Sequence, residues 1–205
     1  MSISETQICN KGLGWIGAKK ITSLTIEEDS VEWDLCDQNY DSLRDAVMEE
    51  REWTFAVKRV SITASAEEIA FGNETKFLKP SDTLRILSVH EPGSLENAGP
   101  IARGIHDKSQ IPDWEIEGDF IICVADKIEV RYLRRIKDPG KYSPNFVEAL
   151  AQRLAAEFAP TLTESKSLTE SMWAGYEFKL GKSAVLDGMQ GRTRRIRSQA
   201  LVRRR

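Results

Sequence analysis

The stretch Tyr142 to Asp187, YSPNFVEALAQRLAAEFAPTLTESKSLTESMWAGYEFKLGKSAVLD, constrains the fold more than any other part of the chain. Ser143 is an N-cap, and Pro144 stands at the first helical position, where its missing N–H costs nothing. Phe146, Val147, Leu150, Ala151, Leu154, Ala155 and Phe158 recur at three- and four-residue steps and form one apolar stripe. Pro160 is expected to stop that helix, because the residue before a proline is pushed out of the α region. A second helix is expected from Thr163 or Ser165. Leu168, Met172, Tyr176 and Leu180 fall on one side of it, with Trp173 and Ala184 beside them. So short a connection implies an antiparallel hairpin. Nothing in this hairpin has the residue types of a catalytic centre, so it reads as a structural clamp.

Two more helices are expected near the start. Ser4 and Gln7 form a capping-box pattern, Ile3 and Ile8 a hydrophobic staple, and Gly17 a stop. Ile8, Cys9, Leu13 and Ile16 make the buried face, while Gly12 and Gly14 weaken the helix. The next helix is expected from Asp29, with Glu32 as box partner. Leu35, Cys36, Tyr40, Leu43 and Val47 face inward; Asp34, Asp37, Asp41 and Glu49 face solvent. Near Glu52 the pattern changes, and Trp53, Phe55 and Val57 alternate as in an extended segment.

The middle has no sustained helical period. Pro80-Ser81-Asp82 reads as a turn and Leu84 to Val89 as a short buried strand. Glu91 to Gln110 reads as a long exposed loop. WEIEGDFIICVAD and KIEVRYLRRI are two β-rich runs, expected to pair as a hairpin across Asp126-Lys127. Ile128, Val130 and Tyr132 point one way; Glu129 and Arg131 point the other.

The fold expected is therefore α+β and mainly helical: an antiparallel helical bundle with a small antiparallel β-rich insertion in the middle of the chain. Its parts are 1–60, N-terminal helices; 61–137, the insertion with its long loop; 138–187, the C-terminal hairpin; and 188–205, a basic tail.

Composition narrows function by exclusion. The 205 residues carry a net charge of −3, against general nucleic-acid binding by the whole chain. Cys9, Cys36 and Cys123 lie far apart without a CxxC pair, as in reduced thiols with no zinc signature. The chain starts without a signal-peptide pattern and has no run long enough to cross a membrane, so it is expected to be made and assembled in the cytoplasm.

No constellation of reactive residues emerges. His90 and His106 lack a second ligand at metal spacing and read as loop histidines. Gly12-x-Gly14-x-x-Gly17 matches GxGxxG, but no strand precedes it and no helix follows at once. Glu115, Glu117 and Asp119 sit among bulky apolar residues and read as surface charge on a strand rather than an acid/base pair. Trp15, Trp33, Trp53, Trp114 and Trp173 read mostly as core or core edge, with one or two left as interface anchors. The tail is more telling. Arg192, Arg194, Arg195, Arg197, Arg203, Arg204 and Arg205 crowd the end of an otherwise acidic chain. They read either as a solvated terminus or as an arm for an acidic protein crevice or nucleic-acid phosphates. Arginine throughout favours bidentate contacts.

Several segments, in order, resemble one family. They are ICNKGLGWIGAKKITSL; YDSLRDAVMEEREWTFAVKRV, with its Arg-Glu-Trp-Thr-Phe-Ala ending; FLKPSDTLRILSV; WEIEGDFIICVAD; and IKDPGKYSPNFVEALAQRLAAEFAPTLTESKSLTESMWAGYEFKLGKSAVLD. Together they resemble the tail tubular protein A family, the head-to-tail adaptor of short-tailed phages. The resemblance implies a structural virion protein at the head–tail junction, in a ring expected to be twelve-fold. That ring would lie between portal protein and tail nozzle protein, with DNA leaving through its centre. It implies no catalytic residue, cofactor, metal or membrane partner, and it makes the arginine tail a portal-docking arm. A closed ring needs two different complementary faces on each subunit. Asp34, Asp37, Asp41 and Glu49 are candidates for one, and Arg44, Lys58, Arg59, Arg134 and Arg135 for the other. The alternatives are a nucleic-acid-binding phage protein acting through the arginine tail and an enzyme with its site in the loop-rich middle.

Overall fold

A computed structural model describes residues 3–67, 69–70, 72–92 and 113–189, with side chains of the last helix described to residue 183. The described residues divide into two compact units: 3–56 with 135–189, and those within 57–134.

The first unit holds the helices. Helix α1 (Glu5–Trp15) opens with the full capping box: Gln7 N–H donates to Ser4 Oγ at 3.2 Å, and Ser4 N–H donates to Gln7 Oε1 at 2.9 Å. It closes on Gly17, whose φ of +72° suits glycine. There Gly17 N–H donates to Gly14 O and Ala18 N–H to Leu13 O, the two bonds of a Schellman ending. Helix α2 (Val31–Glu50) starts one residue later than the Asp29 cap predicts, because the Ser30 hydroxyl accepts from Trp33 N–H at 3.3 Å. Its inward face is Cys36, Tyr40, Arg44, Val47 and Met48. Leu35 and Leu43 are only half-buried.

Helix α3 (Pro144–Thr163) is the centre of this unit and packs against α1, α2 and α4 (Lys166–Met189). Ser143 caps it as expected, accepting from Phe146 N–H at 3.3 Å. The expected stop at Pro160 does not occur. The helix runs on to Thr163 and ends at Glu164, which has φ +51°. Phe158 and Ala159 on either side of that turn's inner face are buried, so packing outweighs the local penalty of the proline, which itself lies exposed. Gly175 of α4 leaves room for Gln152 of α3: a Cβ there would lie 2.9 Å from Gln152 Nε2, which instead donates to Met172 O at 3.1 Å. Trp53, Phe55, Tyr142 and Phe146 form an aromatic cluster, with Trp53 and Phe146 edge to face at 5.1 Å. The extended segment expected from Trp53 is first a turn, with Ala56 N–H donating to Trp53 O at 2.9 Å. Trp53 is buried and donates from its indole to Val47 O at 2.9 Å.

The second unit holds six strands in two antiparallel three-stranded sheets. One has β6 (Lys127–Arg134) between β1 (Val57–Thr63) and β3 (Thr83–His90). The other has β5 (Phe120–Cys123) between β2 (Thr75–Leu78) and β4 (Trp114–Glu117). Phe77, Ile121 and Cys123 from one sheet meet Ile86, Val89, Ile128, Val130 and Tyr132 from the other in one buried cluster.

This corrects the fold expectation. The helices do not form a mainly helical bundle carrying a small β insertion. The described residues contain four α-helices and six strands, and the β part buries an apolar core of its own, as a separate unit must. The expected hairpin across Asp126-Lys127 is also corrected. WEIEGDFIIC folds on itself through Gly118 (φ +55°) and Asp119, pairing Glu117 with Phe120, while β6 joins the other sheet. The expected alternation on β6 holds, with Ile128, Val130 and Tyr132 buried and Glu129 and Arg131 partly exposed. Of the expected Glu91–Gln110 loop, residues 93–110 lie outside the described residues. No helix among the described residues is long and apolar enough to cross a membrane.

Candidate interaction surfaces

Helix α2 presents Asp34, Asp37 and Asp41 to solvent at i, i+3 and i+7, hence on one face. Glu32 and Asp34 occupy its first turn, where carboxylates suit the helix dipole. Glu49 is exposed near its other end.

Arg44, also expected on the surface, is 1% exposed. Its position follows Cys36 and Tyr40 at four-residue steps, which places it on the inward stripe. Its guanidinium donates from Nε and Nη2 to Asp45 Oδ1 at 2.9 and 2.7 Å, and from Nη1 to Asp41 Oδ1 at 2.6 Å. Asp45 Oδ2 accepts from Arg135 Nε at 2.6 Å. Arg44 and Arg135 are thus tied within the chain. Burial would lower the Arg44 pKa, but the hydrogen bond and charge of Asp45 outweigh it, so the cation is held firmly. Glu5 lies near the same group; burial and the Asp41 charge raise its pKa, with Arg44 opposing.

A second cluster joins α1, α3 and α4. Glu148 accepts from Lys11 and from Lys179, the latter at 3.3 Å, and Lys179 Nζ sits 3.6 Å from the centroid of the Trp15 ring. A third joins α2, α3 and α4. Arg153 stacks on Trp173 at 4.4 Å and pairs with Glu157 at 2.8 Å, while Tyr176 donates its hydroxyl to Glu50 Oε2 at 2.7 Å. Trp33 donates to Ser23 O at 3.1 Å, and Trp114 is packed at the edge of the sheet core. The tryptophans therefore have structural partners inside the chain.

In the β unit, Lys58 pairs with Asp82 at 3.5 Å, beside the hydroxyl of Tyr132, which donates to Asp82 Oδ1 at 2.9 Å. Arg134 is half-buried, and its Nε has no hydrogen-bond partner among the described residues. The sheet β1-β6-β3 turns Val60, Ile62, Ile128, Val130 and Tyr132 into the core. Its opposite face carries Arg59 across from Arg131, Thr63 across from Lys127, and Arg85 on β3. Sequence reading singled out Arg59 alone of these cations as an interface candidate. The signal available for the rest was period-two alternation: Arg59-Ser61-Thr63 and Lys127-Glu129-Arg131 are the polar halves of two strands.

No chemistry centre accompanies these surfaces among the described residues. No group of three or more His, Cys, Asp or Glu is placed to hold a metal. His90 is buried, with its Nε2 3.0 Å from Ser88 Oγ. Glu115, Glu117 and Asp119 are exposed. Gly12 and Gly17 serve helix packing and helix ending. All three cysteines are buried and free; a hydrogen bond with Cys36, then burial, push the Cys9 thiol far up. His106 and the whole arginine set Arg192, Arg194, Arg195, Arg197, Arg203, Arg204 and Arg205 lie outside the described residues. Compared with known proteins, the chain matches no family model and no curated sequence.

Proposed function

We propose that the chain is a structural subunit of a phage particle, a head-to-tail adaptor that forms a ring between portal and tail nozzle around the DNA path. The observation that carries this reading is the ordered series of segments that resemble the tail tubular protein A family, from ICNKGLGWIGAKKITSL to the Tyr142–Asp187 hairpin. The conspicuous residues of those segments have structural work in the chain. Gly12 and Gly17 shape α1, Trp53 anchors the end of α2, and Ser143 starts α3. The reading also suits a surface with separate acidic and basic faces, which a heterologous ring requires.

The test is capture by a portal. The purified chain mixed with portal protein should give ring-shaped complexes in electron micrographs. A chain that portal never retains would overturn the reading. Deleting Arg192 to Arg205 should weaken capture while leaving the fold, measured by circular dichroism, unchanged. Equal capture of the truncated chain would remove the docking role of the tail. Salt-sensitive DNA binding that vanishes on truncation, without portal capture, would favour the nucleic-acid alternative.

A further inference from the structure

We infer that the exposed apolar pair Ile26 and Val31, with the carboxylates around it, is the docking surface for residues 192–205 of a second copy of the chain. The inference deepens the ring-subunit reading and rests on it.

Ile26 is 65% exposed, on the loop into α2, and Val31 is 56% exposed at the first residue of that helix. They lie in the longest part of the chain without a cation, for no Lys or Arg stands between Lys20 and Arg44. Glu27, Asp29, Asp34 and Asp37 are exposed there, and Glu32 is half-buried. No described cation forms an ion pair with any of the five. The two other acids of the stretch are in use: Asp41 holds Arg44, and Glu28 accepts from the N–H groups of Thr22 and Ser23. The dipole of α2 favours Glu32 and Asp34 in its first turn, but Glu27 precedes the cap and Asp37 lies a turn further on. An apolar patch rimmed by unanswered carboxylates fits a partner that is apolar and basic.

The chain carries such a partner. Residues 192–205 hold seven arginines and no acid, interleaved with Ile196, Leu201 and Val202. They lie outside the described residues, beyond a helix that is described to Met189. With them the net charge is −3; without their seven cations it is −10, so the chain's excess of acid is answered chiefly by this one segment. Guanidinium groups meet carboxylates through paired hydrogen bonds, and the three aliphatic side chains match Ile26 and Val31. Patch and segment differ and belong to the same chain, so the contact is head-to-tail and passes from copy to copy. In a ring it ties each subunit to the next, and loss of the segment loosens the ring that portal retains.

The experiment is complementation, read by sedimentation of full chains at low salt. Glu27→Lys with Asp37→Lys reverses the patch at two exposed positions, and Arg194→Glu with Arg197→Glu reverses the segment. The wild-type chain should self-associate, and less so as salt rises. Each reversed chain alone should associate more weakly by about tenfold or more. Mixed together the two should pair, because one keeps an intact segment and the other an intact patch. Ile26→Ser with Val31→Ser, which leaves every charge in place, should weaken association as well. A wild-type chain that stays monomeric, association untouched by these substitutions, or reversed chains that do not pair when mixed would each overturn the contact. A short DNA duplex is the control probe. Loss of its binding on segment reversal, with self-association intact, would also overturn the contact and assign the arginines to nucleic acid. Rings that still form with portal after patch reversal would sink this contact alone, whereas failure of the wild-type chain to form rings with portal would sink the adaptor reading itself.

Discussion

Arg44 and Asp45 are neighbours in sequence and partners in space: the buried guanidinium of the first donates twice to one carboxylate oxygen of the second, at 2.9 and 2.7 Å. The other oxygen of that carboxylate holds Arg135, ninety positions further on. One carboxylate thus joins the inner face of α2 to the segment that leads into α3.

Asp45→Ala should therefore be among the most destabilising substitutions near the α2 surface. It leaves a cation that is 1% exposed with only Asp41, whose own side chain is 68% exposed. Breaking a buried pair from one side costs about 3 kcal/mol. Arg44→Met, which removes the buried charge and keeps most of the volume, should cost less. Urea unfolding of the three proteins would check the order. Equal midpoints for wild type and Asp45→Ala would show that the network contributes nothing.

Gly12 and Gly14 stand two residues apart on one helix and should respond in opposite directions to alanine. A Cβ at Gly12 would meet Ala151 O at 2.8 Å and Leu154 Cβ at 3.3 Å. Overpacking of that kind costs about 1–3 kcal/mol and exceeds the gain in helix propensity. A Cβ at Gly14 meets nothing within 4 Å, so Gly14→Ala should stabilise by about 0.5–1 kcal/mol. Thermal melts of the two variants should move apart; a Gly12→Ala protein as stable as wild type would mean that α1 and α3 can separate freely.

Legibility in the sequence followed the range of the interaction. The Ser4–Gln7 box, the Gly17 ending and the Ser143 cap are settled within a few residues, and all three were readable. Arg44 was misplaced because residue type argued for the surface while its spacing after Cys36 and Tyr40 argued for the core. The Gly118-Asp119 pair is a two-residue hairpin signal, but the β-rich runs were broken at Asp126-Lys127 instead, which sent β6 to the wrong partner. Nothing local says that β6 lies between β1 and β3, since that order depends on pairings scores of residues apart. That Arg59 lies across from Arg131 became visible only once that register was known.

The Glu148 cluster gives a pH dependence of definite sign. Burial raises the Glu148 pKa, but hydrogen bonds from Lys11 and Lys179 outweigh it, and the carboxyl titrates below its ordinary 4.5. A depressed folded-state pKa means stability that is present above about pH 4.5 and lost as pH falls through the folded value. Lys179 does not mirror this: its burial, with repulsion from Lys11, outweighs the shared carboxylate, so its pKa is lowered. Glu148→Gln should be less stable than wild type at neutral pH, and the gap should close on acidification. Unfolding midpoints for both proteins across that range would check it; a gap constant with pH would exclude ionisation of Glu148 as its source.

Pro160 offers a gain in stability with no change of fold. The helix continues through it to Thr163, so Ala156 O faces a residue with no N–H to give. Downstream, the Thr163 hydroxyl donates to Ala159 O at 2.6 Å, which does nothing for Ala156 O. The proline ring is exposed, so its removal leaves no cavity. Pro160→Ala restores the missing donor and a strong helix former, and should stabilise by about 1–3 kcal/mol. The offsetting term is the greater freedom of the unfolded chain, about 0.4–1 kcal/mol, which is smaller. A raised urea midpoint with an unchanged circular dichroism spectrum is the expected result. A lower midpoint would mean that the proline bends α3 to fit its partners, and that the helix needs the kink more than the hydrogen bond.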